Sequence, residues 1–342
     1  MSEGSPTLRS VTDTASTDSA LAGSSADPEP RRRPALSPSR ASDFKQCPLL
    51  YRFRAIDRLP EQPSRVQVRG TVVHAALERL YDLPAAARSP EAARGLVGPV
   101  WEELCAALPE LLGQLFEGPE DPELPPWLES AADLLEAYFR LEDPRRLEPA
   151  ARELLVETEL ASGVLLRGYI DRLDVAPTGE LRVVDYKTGS APGEAGEVAA
   201  LFQMKFYALA LLQDRGVVPT QLRLLYLADG VHLTYEPDEA ELRRFERTLE
   251  AIWAAIREAG ESGDFRPNPT RMCDWCSHKA LCPAWDGTPP AYPGWPQLAE
   301  EPVLNLLDQP PRRATRSDHS TGRHAAATRP GRTAVNGFPR AR

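Results

Sequence analysis

The run RELLVETELASGVLLRGYIDRLDVAPTGELRVVDYKTG, residues 152 to 189, constrains the fold more than any other part of the chain. Apolar and polar residues alternate along it, and turn signals stand at Ser162-Gly163 and Pro177-Thr178-Gly179. That pattern predicts a meander of three antiparallel strands. Asp171, Asp174 and Asp185 fall on strands that otherwise read as buried, with Lys187 two residues after the last. A solvated hairpin edge would explain charge there, and so would a metal site.

The flanking segments read as helices. Ser37 or Ser39 caps the first, with Phe44, Leu49, Leu50, Tyr51 and Phe53 as its apolar face. In RGTVVHAALERLYDL, Val72, Val73, Ala76, Leu77 and Leu80 recur at helical spacing, and His74 and Glu78 lie four apart beside them. Residues 90–148 form an acidic, proline-punctuated helical stretch. A helix over LFQMKFYALALLQDRG ends at Gly216, a strand pair turns around Asp229-Gly230, and residues 238–263 make a long amphipathic helix. Helices around a three-strand meander predict an α/β fold.

Residues 37–286 are read as one domain with a helical insertion over about 85–150. Residues 1–36 and most of 287–342 have the composition of disordered tails, the second of them basic. Nothing resembles a membrane span or a cleaved leader, so a soluble, cytoplasmic protein is expected, with no membrane partner.

The net charge of −10 does not exclude a phosphate-bearing partner. Residues 90–160 carry 17 acidic residues against 5 arginines, more than the whole imbalance. Residues 40–69 hold seven basic against three acidic residues, and the stretch from 310 holds eight arginines against one aspartate. A local basic face, rather than the sum, decides phosphate binding.

Hydrolysis of a phosphodiester needs a water nucleophile near neutral pH and a counter-charge for the transition state, and a divalent cation supplies both. Mg²⁺ takes hard oxygen ligands, so two carboxylates on neighbouring strands suit it. Asp171 and Asp185 are brought side by side by the hairpin. Without a cation two such groups repel and raise a pKa. Asp185 and Lys187 share strand parity and face one side. Only Lys45, Lys187, Lys205 and Lys279 are lysines among 40 cationic residues, so the lysine of DYKTG stands out. Asp174 is read as structural, paired with Arg172 or Arg182.

Cys273, Cys276 and Cys282 form C-x2-C-x5-C, and Cys47 lies more than two hundred residues earlier. In a reducing compartment thiolates in this number bind zinc or an iron–sulfur cluster. Cys105 reads as a buried thiol, and Trp275 and Trp285 as shielding the cysteine site. Closing so long a loop would stabilise the fold by about 4 to 5 kcal/mol if the disulfide relation carries over.

Asp171 followed by Asp185-Tyr186-Lys187 resembles the PD-(D/E)XK nuclease superfamily, and His74 before it and Gln203 and Tyr207 after it are similar to motifs of the RecB, AddB and Cas4 exonuclease group. The resemblance spans about residues 37–286. It implies a restriction-endonuclease-like core with a mixed central sheet flanked by helices, plus the helical insertion and an iron–sulfur knuckle. It implies Mg²⁺ or Mn²⁺ held by His74, Asp171, Asp185 and the Tyr186 carbonyl, water positioned by Lys187, and DNA or active-site contacts by Gln203 and Tyr207. Glu157 or Glu159 would supply an outer carboxylate. Cys47, Cys273, Cys276 and Cys282 would hold a [4Fe–4S] cluster of structural role. The activity implied is a DNA exonuclease on ends or single strands, in repair or recombination. The chain has no G-x-x-x-x-G-K-[ST], so a motor would be a separate helicase or repair partner. Two other readings stand beside it: an inactive iron–sulfur DNA-binding module, and a Cas4-like or restriction-type nuclease acting on another nucleic acid.

Overall fold

In the computed structural model, which describes residues 34–295, the alternating run forms β1 (Ala151–Glu159), β2 (Leu165–Val175) and β3 (Leu181–Lys187). β4 (Gln221–Tyr226) and β5 (Val231–Tyr235) complete a sheet of order β1-β2-β3-β4-β5. β3 and β4 run parallel and the other pairs antiparallel, a mixed sheet. The parallel pair needs a crossover, which a helix of 22 residues supplies.

The helices in chain order are α1 (Pro38–Gln46), α2 (Pro48–Tyr51), α3 (Arg65–Leu80), α4 (Pro90–Gly95), α5 (Val97–Ala107), α6 (Leu111–Leu115), α7 (Leu124–Leu141), α8 (Glu194–Arg215) and α9 (Glu239–Ser262). α8 and α9 cover one face of the sheet in a core that includes Ile170, Val183, Phe206 and Leu249. α3, α4, α5 and α7 cover the other face around Val184, Tyr186 and Leu225. The expected insertion is therefore the second layer of the sandwich. Its charge hides a helical stripe: Trp127, Ala131, Leu134, Leu135 and Tyr138 are all buried on α7.

α3 forms where it does because Ser64 caps it reciprocally with Gln67. Its buried stripe of Val68, Val72, Val73, Ala76, Leu77 and Leu80 fixes its rotation. Each such side chain contributes about 1.5 to 3 kcal/mol of gross burial. His74 is then held at the edge of that stripe.

The described ends differ from the expected tails. Leu36 is fully buried and donates its N–H to the Leu165 carbonyl at 2.8 Å. At the other end Tyr292 and Trp295 pack on the α9 core, and the Tyr292 hydroxyl donates to the Gly260 carbonyl at 2.6 Å. The rest of the expected tails, 1–33 and 296–342, lies outside the described residues. Among the described residues no helix is long and apolar enough to cross a membrane.

Candidate active site

The β2–β3 ladder runs from Arg172↔Val184 to Val175↔Leu181, while β3 stays paired with β4 as far as Lys187. β2 and β3 therefore part beyond Arg172, and the gap opens a cleft of about 460 Å³. His74, Asp171, Asp185, Tyr186, Lys187 and Gln203 all line it. Sequence reading had named all six.

Asp171 lies where the faces of β1 and β2 change over. Leu154, Val156, Leu166 and Ile170 pack into the α8 core, yet so do Ala151 and Leu173, which have the opposite parity. The switch falls at Glu153 and Asp171, the register position at which the β1–β2 ladder has no pair. Glu153 adopts φ +44°, the left-handed region that costs a non-glycine residue of order 1 kcal/mol or more. Strain of this kind persists where the surroundings impose it, and here it turns Glu153 toward Asp171.

His74 from α3 reaches the same point. Its Nε2 lies 3.0 Å from the Tyr186 carbonyl oxygen and its Nδ1 3.4 Å from Asp171 Oδ2. Burial lowers its pKa against the pull of Asp185, which leaves the ring neutral at pH 7. A neutral imidazole has one N–H, so one nitrogen turns a lone pair toward an oxygen. A cation in the cleft would relieve that conflict. His74, Glu153 and Asp171 each offer a ligand atom within 4.8 Å of the other two.

Asp171 Oδ2 accepts the Tyr186 N–H at 2.8 Å. Burial pushes the Asp171 carboxyl well above the usual range, and the Asp185 charge adds to the rise. Asp185 is buried and meets Lys187 Nζ at 2.8 Å. Burial alone would lower the Lys187 pKa, but Asp185 outweighs it and the ammonium is held charged. Gln203 joins the set from α8: its Oε1 accepts from Lys187 at 2.8 Å, and its Nε2 donates to Asp185 at 2.9 Å and to the Tyr207 hydroxyl at 3.1 Å. Tyr207 can approach because position 168 is glycine; a Cβ there would lie 2.8 Å from the Tyr207 ring.

One acidic residue of the site escaped sequence reading. The expected outer carboxylate, Glu157 or Glu159, is not near this cluster: Glu157 pairs with Arg167 further along the hairpin. Glu153 takes the place. The available signal was its register with Asp171, which exists only once β1 and β2 are aligned.

Behind the cleft, one residue from Asp171, Arg172 is fully buried. It binds Asp174 through Nε at 3.0 Å and Nη2 at 3.1 Å, pairs with Glu142 at 2.8 Å, and donates from Nη1 to the hydroxyls of Tyr81, Tyr138 and Tyr186. Arg182 meets Asp174 at 2.7 Å and Arg223 meets Glu142 at 3.3 Å. Burial would raise the Glu142 pKa, but Arg172 outweighs it and the net shift is downward. Asp174 thus has both expected arginine partners.

Cys47, Cys273, Cys276 and Cys282 line a single pocket at the edge of the α9 layer with Phe53 and Trp285. Backbone N–H groups of Asn268 and Thr270 donate to the sulfurs of Cys47 and Cys273 at 3.4 and 3.3 Å. Trp275, expected to shield the site, is 76% exposed. Cys105 stands apart, half-buried against the second core.

Curated relatives add no chemistry. Gene 69 protein of Mycobacterium phage D29 is 27% identical over 74% of this chain and 97% of its own length. Gene 69 protein of Mycobacterium phage L5 is 25% identical over the same shares. A crystal structure of an exonuclease candidate from Eubacterium rectale aligns with a TM-score of 0.48 at 12% identity, over 79% of this chain and 90% of that one. The family model of the PD-(D/E)XK nuclease superfamily matches residues 35–283, which include the cleft and both layers around it. The chain belongs to the PD-(D/E)XK nuclease superfamily.

Proposed function

We propose that this nuclease is a Mg²⁺- or Mn²⁺-dependent DNA exonuclease that acts on ends or single strands in repair or recombination. The observation that carries the reading is a cleft that brings His74 and Asp171 together with the Asp185–Lys187 pair, with Glu153 within ligand reach of the first two. A hard dication fits that set because it removes the cost of ionising Asp171 beside Asp185 and offers His74 an acceptor for its lone pair. Asp171, Asp185, His74 and the Tyr186 carbonyl would hold it, with Glu153 in reserve on β1. Once bound, it supplies a water nucleophile near neutral pH and counter-charge at the phosphate.

The chain's own groups do the rest. Gln203 is a two-sided clamp that fixes the Lys187 ammonium relative to Asp185. Lys187 then presents N–H donors to a water or phosphate oxygen in the cleft. Tyr207, whose pKa burial raises, keeps its hydroxyl proton and orients Gln203.

The four-cysteine pocket is read as the seat of a structural [4Fe–4S] cluster. All four cysteines line one pocket, and backbone N–H groups donate to the sulfurs of Cys47 and Cys273, which suits thiolate ligands. A motor for unwinding would come from a separate helicase or repair partner, in the cytoplasm.

The test is anaerobic purification followed by visible spectroscopy, iron analysis and assay of labelled single-stranded DNA, duplex DNA and RNA with Mg²⁺ or Mn²⁺. Metal-dependent loss of DNA, absent in Lys187→Ala and Asp185→Ala, is expected. Binding without cleavage would instead identify a DNA-binding module. Cys47→Ala should bleach the colour and lower stability; colour that persists unchanged rejects the cysteine assignment.

A further inference from the structure

The sheet carries an exposed apolar pair beside the cleft that neither the core nor the site explains. Tyr169 lies two residues before Asp171 on β2, and Leu155 two residues after Glu153 on β1. The register sets these two side chains directly opposite each other. Their neighbours Val156, Leu166 and Ile170 are buried in the α8 core, so Tyr169 and Leu155 leave the sheet on its other face, the face against which α3 delivers His74. There they remain uncovered: Tyr169 is 54% exposed and Leu155 40%. The next pair outward, Glu157 and Arg167, is joined as a salt bridge and closes the patch with charge.

A directly opposed tyrosine and leucine support each other across the strands and leave their outer faces free for a further apolar partner. Two strand residues span about 7 Å, so the patch begins one short step from the carboxylates of the cleft. An aromatic ring backed by an aliphatic side chain, flat and wet, is the surface on which a nucleobase stacks. A base inside a duplex already has stacking partners on both sides. One at a frayed end or in a single strand does not, and gains a partner here.

We infer that Tyr169, backed by Leu155, is a stacking platform for an unpaired base next to the scissile phosphate, so that the preferred substrate is single-stranded DNA or a duplex end with an unpaired terminal nucleotide. This rests on the nuclease reading above. The platform sets substrate choice through binding and leaves the chemistry to the cleft.

The test uses the full chain with a fluorescent single-stranded oligodeoxynucleotide and its blunt duplex. Binding is read in EDTA and cleavage in Mg²⁺ or Mn²⁺, for wild type, Tyr169→Ala, Tyr169→Phe, Leu155→Ala and Val175→Ala. Val175, 42% exposed and so close to Leu155 in exposure, lies at the far end of the same strand as Tyr169 and serves as the control. Tyr169→Ala should weaken single-strand binding and raise KM by roughly tenfold, with kcat kept, since base–aromatic stacking is worth about 1 to 3 kcal/mol. Tyr169→Phe should restore both, Leu155→Ala should cost a few-fold, and Val175→Ala should change neither. Wild-type cleavage with Tyr169→Ala within twofold in binding and KM overturns the platform alone. So does equal loss on the blunt duplex, or a Phe variant as weak as Ala. A wild-type chain that neither binds nor cleaves either DNA overturns the nuclease reading, and the platform with it.

Discussion

Two charge clusters sit one residue apart on β2 and obey opposite rules. The cluster around Arg172 is sealed. Its arginines Arg172, Arg182 and Arg223 meet Asp174 and Glu142, and three tyrosine hydroxyls gather around Nη1 of Arg172. The cluster around Asp171 opens to the cleft through His74, Asp171, Asp185 and Lys187, with Glu153 beside it, so three carboxylates stand against one ammonium and a neutral histidine. When ionised they leave an excess of two negative charges. The sealed cluster sets three guanidiniums against two carboxylates, within one charge of balance and shielded from the cleft, and it holds the fold together. The open one lacks an internal answer, and the deficit matches a dication.

That contrast is broken most directly from the sealed side. Glu142→Gln removes one counter-charge from fully buried Arg172 and from half-buried Arg223 and should cost about 3 to 5 kcal/mol. Urea unfolding in EDTA measures it; a loss under 1 kcal/mol would mean the cluster is not sealed. From the open side, Lys187→Ala should reduce kcat by about 100- to 1,000-fold while the midpoint of unfolding stays close to wild type. A variant that unfolds instead would place Lys187 with the structural charges.

Asp171→Asn sharpens the comparison by its sign. Burial and Asp185 hold the Asp171 pKa above its unfolded value, so its stabilising share is present at low pH and lost as pH rises through the raised pKa. Above that point the metal-free Asn variant should melt higher than the metal-free wild type. Mg²⁺ should raise the wild-type Tm, more strongly at higher pH because the ion competes with the proton, and should leave the variant nearly unmoved. Melting curves from pH 5 to 9, with EDTA and with Mg²⁺, decide it.

Glu153→Gln should weaken Mg²⁺ binding by roughly tenfold, as losing a supporting carboxylate does elsewhere. Isothermal titration reads this without any turnover. The smallest effect is expected of Tyr138→Phe, which withdraws one hydroxyl acceptor from Arg172 at a cost of about 1 kcal/mol and leaves metal affinity alone.

The difference between the clusters also marks what the sequence made legible. Asp171, Asp185, Lys187 and His74 carry local signals: parity on a strand, a scarce lysine, a histidine on an apolar helix. Gln203 and Tyr207 share one helix face, four apart. Glu153 has no local signal, because its place depends on a register with β2 and on a backbone switch that alternation cannot foretell. The resemblance suggests Glu157 or Glu159 instead, and parity does not separate either from Glu153. Glu142 was hidden differently. It lies in an acidic stretch whose composition reads as solvated surface, yet its side chain is covered just past the end of α7, where Arg172 and Arg223 meet it. Net charge describes a segment, and burial is decided by the periodicity within it.

The packing of Tyr292 and Trp295 has a practical corollary for anyone trimming this protein. Arg52, five residues after Cys47, donates to the Pro290 carbonyl at 2.5 Å, and Gly260 accommodates the indole of Trp295 where a methyl group would collide. A fragment cut at 283, where the family match stops, would strip this buckle from the end of α9 and bare the ground beneath it. A fragment meant to keep this end of the fold therefore has to include Trp295.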